Sequence, residues 1–320
     1  MHILVVGAGA IGGYFGGRLL EARRDVTFLV RPRRAEQLRR TGLSIRSPRG
    51  NFDAPAPLIL SENLRDPVDL ILLSCKAFDL PEAMESFARA VGPHTAILPL
   101  LNGLRHLDAL ERRFGSAAVL GGQCLISATL DDEGRILHLS DSHSLSFGER
   151  NGQATERIEQ ITSTFAGTKF DSRASGAILQ EMWDKWVFIA AAAGITCLMR
   201  SSIGDIVAAG ASDLATSLLE ECAAIATRQG FPPSEAVLQR SRAMFTTPGS
   251  SLTASILRDV QRNARTEADH ILGDLLERGG EPPNSHALLR IAYAHLLAYE
   301  SCRARTQDTA HGGQPTATGR

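Results

Sequence analysis

The chain has 320 residues, 43% hydrophobic and 22% charged, with a formal net charge of -1. That is the balance of an ordinary globular protein, and at roughly 100–200 residues per domain it points to two domains. With no field of one sign, no basic stripe and no aromatic platform, nucleic acid and anionic membrane are excluded as expected partners.

His2–Val6 is a short apolar run followed by glycines and reads as a buried parallel strand. A helix is expected over Ile11–Ala22, a second strand over Val26–Val30 and a short helix over Ala35–Arg40. Ser44–Arg46 and Phe52–Asp53 read as a hairpin around Pro48-Arg49-Gly50. Next come a strand at Leu70–Ser74, a helix at Leu80–Ala90 with Asp79 as its N-cap, a strand at Ala96–Leu100 and a helix at Leu104–Arg113. Strands alternating with helices indicate βαβ units and a parallel sheet. Val119–Leu130, Arg135–Leu139 and Ser144–Phe147 suggest antiparallel additions to that sheet, followed by a helix at Glu156–Phe165 and a strand at Lys169–Ser172.

From Ser175 the pattern is helical: 176–199, 204–209, 212–229, 234–245, 252–278 and 285–302, with breaks at Gly230–Pro233, Pro248-Gly249 and Gly279–Pro283. The expected fold is α/β, a Rossmann-type parallel sheet domain over 1–174 and an all-helical domain over 175–303. Residues 304–320 lack periodicity and are expected to be a disordered tail.

Cys75, Cys124, Cys197, Cys222 and Cys302 form no CxxC pair and none stands beside His at ligand spacing. Free thiols in a reducing compartment and no metal site are expected. His2–Val6 has no basic region before it, and the longest apolar run, Trp186–Met199, is too short for a bilayer. A cytoplasmic protein is expected. The long C-terminal helices leave monomer and homodimer both open.

Gly7-Ala8-Gly9-Ala10-Ile11-Gly12 is a GxGxxG between the first strand and the first helix, the context in which that pattern binds a dinucleotide. Gly7 allows the tight turn, Gly9 the approach of a pyrophosphate and Gly12 the packing of helix on strand. NAD binders usually carry Asp or Glu after the second strand; here stands Arg31, followed by Arg33 and Arg34. A guanidinium suits a 2′-phosphate, so NADP(H) is the expected cofactor. Lys76 and Asn102 end the next two strands and therefore point toward the cofactor crevice, with a helix N-cap region and an Asn-Gly turn as their ordinary alternatives.

The run Gly7–Leu19, Arg31, Ser74-Cys75-Lys76, Leu101-Asn102-Gly103, Trp183-Asp184-Lys185-Trp186, Ser255–Asp259 and Arg265–Asp269 together resemble the ketopantoate reductase family. The resemblance implies a Rossmann domain and a helical domain with the active site in the cleft between them. It also implies reduction of a 2-oxo acid to a 2-hydroxy acid with NADPH, ketopantoate to pantoate on the route to coenzyme A. Carried over by position, Lys185 matches the family's catalytic lysine and Glu267 a carboxylate that orients groups in the site. Ser255 matches a contact to the substrate carboxylate, and Lys76 and Asn102 match cofactor and substrate contacts. Without the resemblance, Lys185 beside two tryptophans reads as an interface residue, and Glu267 as part of a solvated helix face.

One departure is specific. The family pattern has Asn four and eight residues after the lysine, where this chain has Ile189 and Ala193. An apolar wall cannot satisfy a buried hydroxyl, and leaving one unpaired costs about 1–3 kcal/mol. A less polar ketone therefore stands beside ketopantoate as the expected substrate. A non-catalytic NADP(H)-binding sensor on the same scaffold is the alternative to an enzyme.

Overall fold

A computed structural model of the chain describes residues 1–280 and 286–311. It forms two compact units, Met1–Met182 and Trp183–Arg320. The expected boundary stood at 174; the division falls later, inside a long helix.

The first unit begins β1 (His2–Val6), α1 (Ala10–Glu21), β2 (Asp25–Leu29), α2 (Pro32–Thr41), β3 (Leu43–Arg46), β4 (Phe52–Ala54) and β5 (Leu58–Ile59). It continues β6 (Leu70–Leu73), α3 (Leu80–Phe87), β7 (Ala96–Pro99), α4 (Arg105–Phe114), β8 (Gly121–Leu130), β9 (Ile136–Gly148), α5 (Glu156–Phe165) and β10 (Asp171–Ala174). The expected α/β class holds. β5-β2-β1-β6-β7 form one sheet, parallel throughout. β6 and β7 are wholly buried and β1 nearly so, which is why they read as continuous apolar runs. The chain builds outward from β1 through β2, then returns to place β6 on β1's other side. The carboxyl ends of β1 and β6 thus flank a topological switch point.

The later strands are not additions to this sheet. They make a second one, ordered β10-β9-β3-β4 with β8 on β9. β8 and β9 pair antiparallel as expected, but β10 and β3 run parallel to β9. β9 is one strand where two were expected. Its buried positions are Ile136 and His138, then His143, Leu145 and Phe147, with Gly148 at its end. The register shifts between Ile126 and Ala128 of β8, and the inward parity of β9 changes across it. A bulge breaks the two-residue period, so one strand resembles two.

Between α1 and β9 lies a buried polar cluster. Tyr14 Oη is 2.7 Å from His143 Nδ1, and His138 and His143 stack with centroids 5.5 Å apart. His138 Nε2 donates to the Ser142 carbonyl at 3.1 Å, so its Nδ1 accepts from Ser47 Oγ at 2.8 Å. Arg18, fully buried, lies over the Tyr14 ring and donates to Glu21 and the Gly50 carbonyl. Burial pushes both imidazoles below 6.5; Arg18 and Arg49 push the same way, against Asp141 beside His138 and Asp171 beside His143.

A histidine held neutral in the folded chain but free to protonate when unfolded gives stability that is complete above pH 6.5. That stability is lost as pH falls toward the depressed folded value. The urea midpoint is therefore expected to drop between pH 7.5 and 5.5, and the drop to shrink in His138→Asn/His143→Asn. A midpoint that holds or rises on acidification would contradict this.

The second unit is helical. α6 (Ile178–Met199) crosses the division and is followed by α7 (Ile203–Ala208), α8 (Ser212–Arg228), α9 (Glu235–Phe245), α10 (Ser255–Gln261), α11 (Asp274–Gly279) and α12 (Ala287–His311). The single helix expected over 252–278 is broken. α10 ends at Gln261 with Arg262 as its C-cap, and Asn263 takes a left-handed conformation (φ +53°) that Asn tolerates. A π-helical turn, Asp269–Gly273, then leads into α11. Gly280 (φ +62°) closes α11 where a break was expected, and 281–285 lie outside the described residues. α12 reaches His311, so the tail expected from 304 is helical to that point; 312–320 lie outside the described residues.

α6 extends well before Trp186. By length and composition it could cross a bilayer, contrary to the expectation from the shorter run, but 67% of its apolar window is buried inside the protein, as in a core helix. Gly194 lets it approach Leu218 of α8 and Ala292 of α12. All five cysteines are free thiols, and Cys124, Cys197 and Cys222 are buried. Burial raises the Cys197 thiol to about 12, an inert packing residue.

Candidate active site

In the first unit the glycine loop follows β1 directly. Gly7 has φ +92°, a conformation few side chains adopt, and its N–H donates to the Leu29 carbonyl at 3.0 Å. A Cβ on Gly12 would lie 2.0 Å from Ser74 Oγ and 2.2 Å from the Gly7 carbonyl, so only glycine lets α1 sit this close. Gly9 differs: a Cβ there would meet nothing within 4 Å. The loop has an open side at Gly9, the N-cap of α1, which makes no side-chain cap. The first-turn amides that follow, from Ala10, Ile11 and Gly12, lack the intrahelical partners that later ones have. Open space beside uncapped amides fits the diphosphate of a dinucleotide.

Two side chains brace this loop. Ser74, just past β6, donates Oγ to the Val6 carbonyl at 3.0 Å. Arg34 donates Nε to the Ala8 carbonyl at 3.1 Å and Nη2 to the Gly134 carbonyl at 3.0 Å, tying the loop to the β8–β9 turn. Arg34 is half-buried and structural, whereas Arg33 is exposed.

Arg31 is the N-cap of α2 and is 58% exposed. Its Nη2 donates to Asp79 Oδ1 at 3.0 Å and to Glu82 Oε2 at 2.6 Å. The hydrogen bond to Asp79, with the nearby charges, raises the Arg31 pKa, leaving the guanidinium fully charged. Asp79 occupies the expected N-cap position of α3 but its side chain makes no cap bond; it binds Arg31 instead. Lys76 is exposed and precedes a short 3-10 turn, Ala77–Asp79, after β6. Asn102 is half-buried, three residues beyond Pro99 at the end of β7, and Gly103 after it has φ +73°. The glycine loop, Lys76 and Asn102 therefore follow the carboxyl ends of three adjacent strands.

In the second unit α6 carries Lys185 and Ile189, both half-buried, and Ala193, 2% exposed. Two hydrogen bonds fix other segments against this helix. Trp186 Nε1 donates to the Ile271 carbonyl in the π turn at 2.9 Å, and Thr196 Oγ1 accepts from the Ala254 N–H at 3.4 Å. Ser255, exposed, is the first residue of α10, immediately after Ala254. Glu267, 8% exposed, lies one turn before Ile271, whose N–H donates to the Glu267 carbonyl at 3.0 Å. The segments bearing Ser255 and Glu267 thus both dock on the helix that bears Lys185. Glu267 does not share a helix with Asp259, as surface pairing at helical spacing would need, because the chain breaks at Asn263.

Sequence reasoning missed Asp79 and Glu82 as members of these sites. Both are distant in sequence from Arg31, so no local pattern marked them.

Comparison with known proteins follows the same two segments. The model of the family described as ketopantoate reductase PanE/ApbA matches residues 3–152, and that of the ketopantoate reductase PanE/ApbA C terminal matches 177–300. The uncharacterized oxidoreductase YkpB of Bacillus subtilis is 39% identical over 302 residues, covering 94% of this chain and 99% of that protein. A 2-dehydropantoate 2-reductase of Mesorhizobium japonicum is 25% identical, covering 87% and 91%. The crystal structure of 2-dehydropantoate 2-reductase from Geobacter metallireducens superposes with a TM-score of 0.83 at 26% identity, covering 93% and 99%. A glycine loop at the start of a parallel sheet and a helical unit built around α6 are thus matched along nearly their whole length by oxidoreductases, and the chain belongs to the ketopantoate reductase family.

Proposed function

We propose that the protein is an NADPH-dependent reductase that converts a 2-oxo acid to a 2-hydroxy acid. The observation that carries this reading is the docking of the Ser255 and Glu267 segments on α6, the helix of Lys185, through Thr196 and Trp186. When bound, the nicotinamide supplies the hydride. Gly7, Ala8, Gly9, Ala10, Ile11 and Gly12 would hold the diphosphate, with Lys76 and Asn102 beside it and Arg31 at the 2′-phosphate. The Lys185 ammonium would polarise the ketone and donate a proton to its oxygen. Ser255 would hold the substrate carboxylate, Asn102 would contact the substrate, and Glu267 would orient the groups around it.

Ketopantoate is the family substrate. A second reading, a 2-oxo acid with a less polar side chain, is favoured by Ile189 and Ala193: neither can hydrogen-bond a substrate hydroxyl, and apolar walls discriminate weakly in favour of one. The test is steady-state oxidation of NADPH with ketopantoate and with a hydroxyl-free 2-oxo acid of similar size. A higher kcat/KM on the hydroxyl-free acid is expected. Efficient ketopantoate reduction would remove the second reading. Turnover of no 2-oxo acid at all would remove the reductase and leave a cofactor-binding sensor.

A further inference from the structure

β2 and β6 are not neighbours. β1 lies between them, and the glycine loop leaves its carboxyl end. Arg31 follows β2, whereas Asp79 and Glu82 follow β6. The ion pairs from Arg31 Nη2 to Asp79 and Glu82 therefore bridge over the strand that begins the dinucleotide loop. Ligands of open parallel sheets lie beyond strand ends at such a switch point, so the bridge stands where the cofactor's adenosine end would arrive.

We infer that Asp79 and Glu82 set the cofactor preference by competing with the 2′-phosphate for Arg31. The inference rests on the reading of Arg31 as the 2′-phosphate contact. One nitrogen, Nη2, serves both carboxylates, at 3.0 Å and 2.6 Å. A 2′-phosphate carries close to two negative charges. To reach the same nitrogen it must displace at least one carboxylate and then sit beside both. A cofactor without that phosphate meets no such conflict. Its ribose 2′-hydroxyl donates to a carboxylate, and Arg31 stays paired. The preference for NADPH over NADH is then narrower than an arginine alone would produce, and the two acidic residues are its determinants. All three side chains are partly exposed, which limits each pair to a modest effect.

The test is cofactor affinity, read by titrating the quenching of protein fluorescence with NADPH and with NADH. Wild type, Asp79→Asn/Glu82→Gln and Arg31→Ala are compared, with melting temperature as the check on folding. In the double variant NADPH is expected to bind about tenfold more tightly, the scale of two exposed pairs. NADH is expected to bind severalfold more weakly, since an amide replaces the carboxylate acceptor. Arg31→Ala is expected to weaken NADPH selectively. An unchanged NADPH-to-NADH ratio in the double variant, beside a selective loss in Arg31→Ala, would overturn the competition and leave the phosphate contact standing. Equal losses of both cofactors in Arg31→Ala would overturn the phosphate contact, and the competition with it.

Discussion

Replacing Lys185 with alanine is expected to lower kcat by roughly 10²–10⁴-fold, the loss that follows removal of a positioned proton donor. The position is set by its neighbour. Trp186 is buried, its indole N–H is spent on the Ile271 carbonyl, and Arg278 lies over its ring 5.7 Å from the centroid. Turning α6 to move Lys185 would leave that indole and carbonyl unpaired, at about 1–3 kcal/mol each. The lysine is thus held by packing that alanine leaves intact, and the variant should fold normally. NADPH affinity should also survive, because the glycine loop is built by β1 and α1 of the first unit. Stopped-flow single turnovers with the preferred 2-oxo acid would separate the chemical step from binding. Wild-type kcat in the variant would make Lys185 a packing residue.

Gly9→Ala and Gly12→Ala should fail in opposite ways. At Gly9 the added methyl meets no protein atom within 4 Å and the backbone (φ -81°) suits any residue. Stability should be unchanged, while the methyl occupies the face the diphosphate must approach, weakening NADPH by about tenfold or more for 1.4 kcal/mol of lost contact. At Gly12 the methyl strikes Ser74 Oγ and the Gly7 carbonyl. Ser74 can rotate away only by giving up its bond to Val6, and the carbonyl can move only with the loop. Overpacking of this kind costs about 1–3 kcal/mol. The melting temperature should therefore fall by about 2–4 °C per kcal/mol. Equal melting temperatures for the two variants would refute the packing role of Gly12, and unchanged NADPH affinity in Gly9→Ala would refute the diphosphate role of the open face.

Legibility in the sequence followed the range of the interactions. The runs Ile3–Val6, Leu70–Leu73 and Ala96–Pro99 announce buried parallel strands because each side chain faces a covered side of the sheet. The glycine turn is equally local, since its conformation depends on residues within one loop. β9 was misread because Leu139–Ser142 stand opposite the single residue Ser127 of β8, which breaks the two-residue period in mid-strand, and the residues around the break do not show that pairing with β8 resumes beyond it. The break after α10 was missed because Asn263 can sit in a helix or end one, and the residues around it do not decide which.

The sequence by itself determined the α/β class, the glycine loop and its place after the first strand, and the order of the motifs that mark the family. These rest on periodicity and on residues near one another in the chain. Only the tertiary structure decided what Arg31 touches and what holds the lysine's helix. The partners of Arg31 stand 48 and 51 residues away, and that of Trp186 stands 85 away. Such pairs form only when the sheet order and the packing of α6 have already brought the segments together, so no local pattern can specify them.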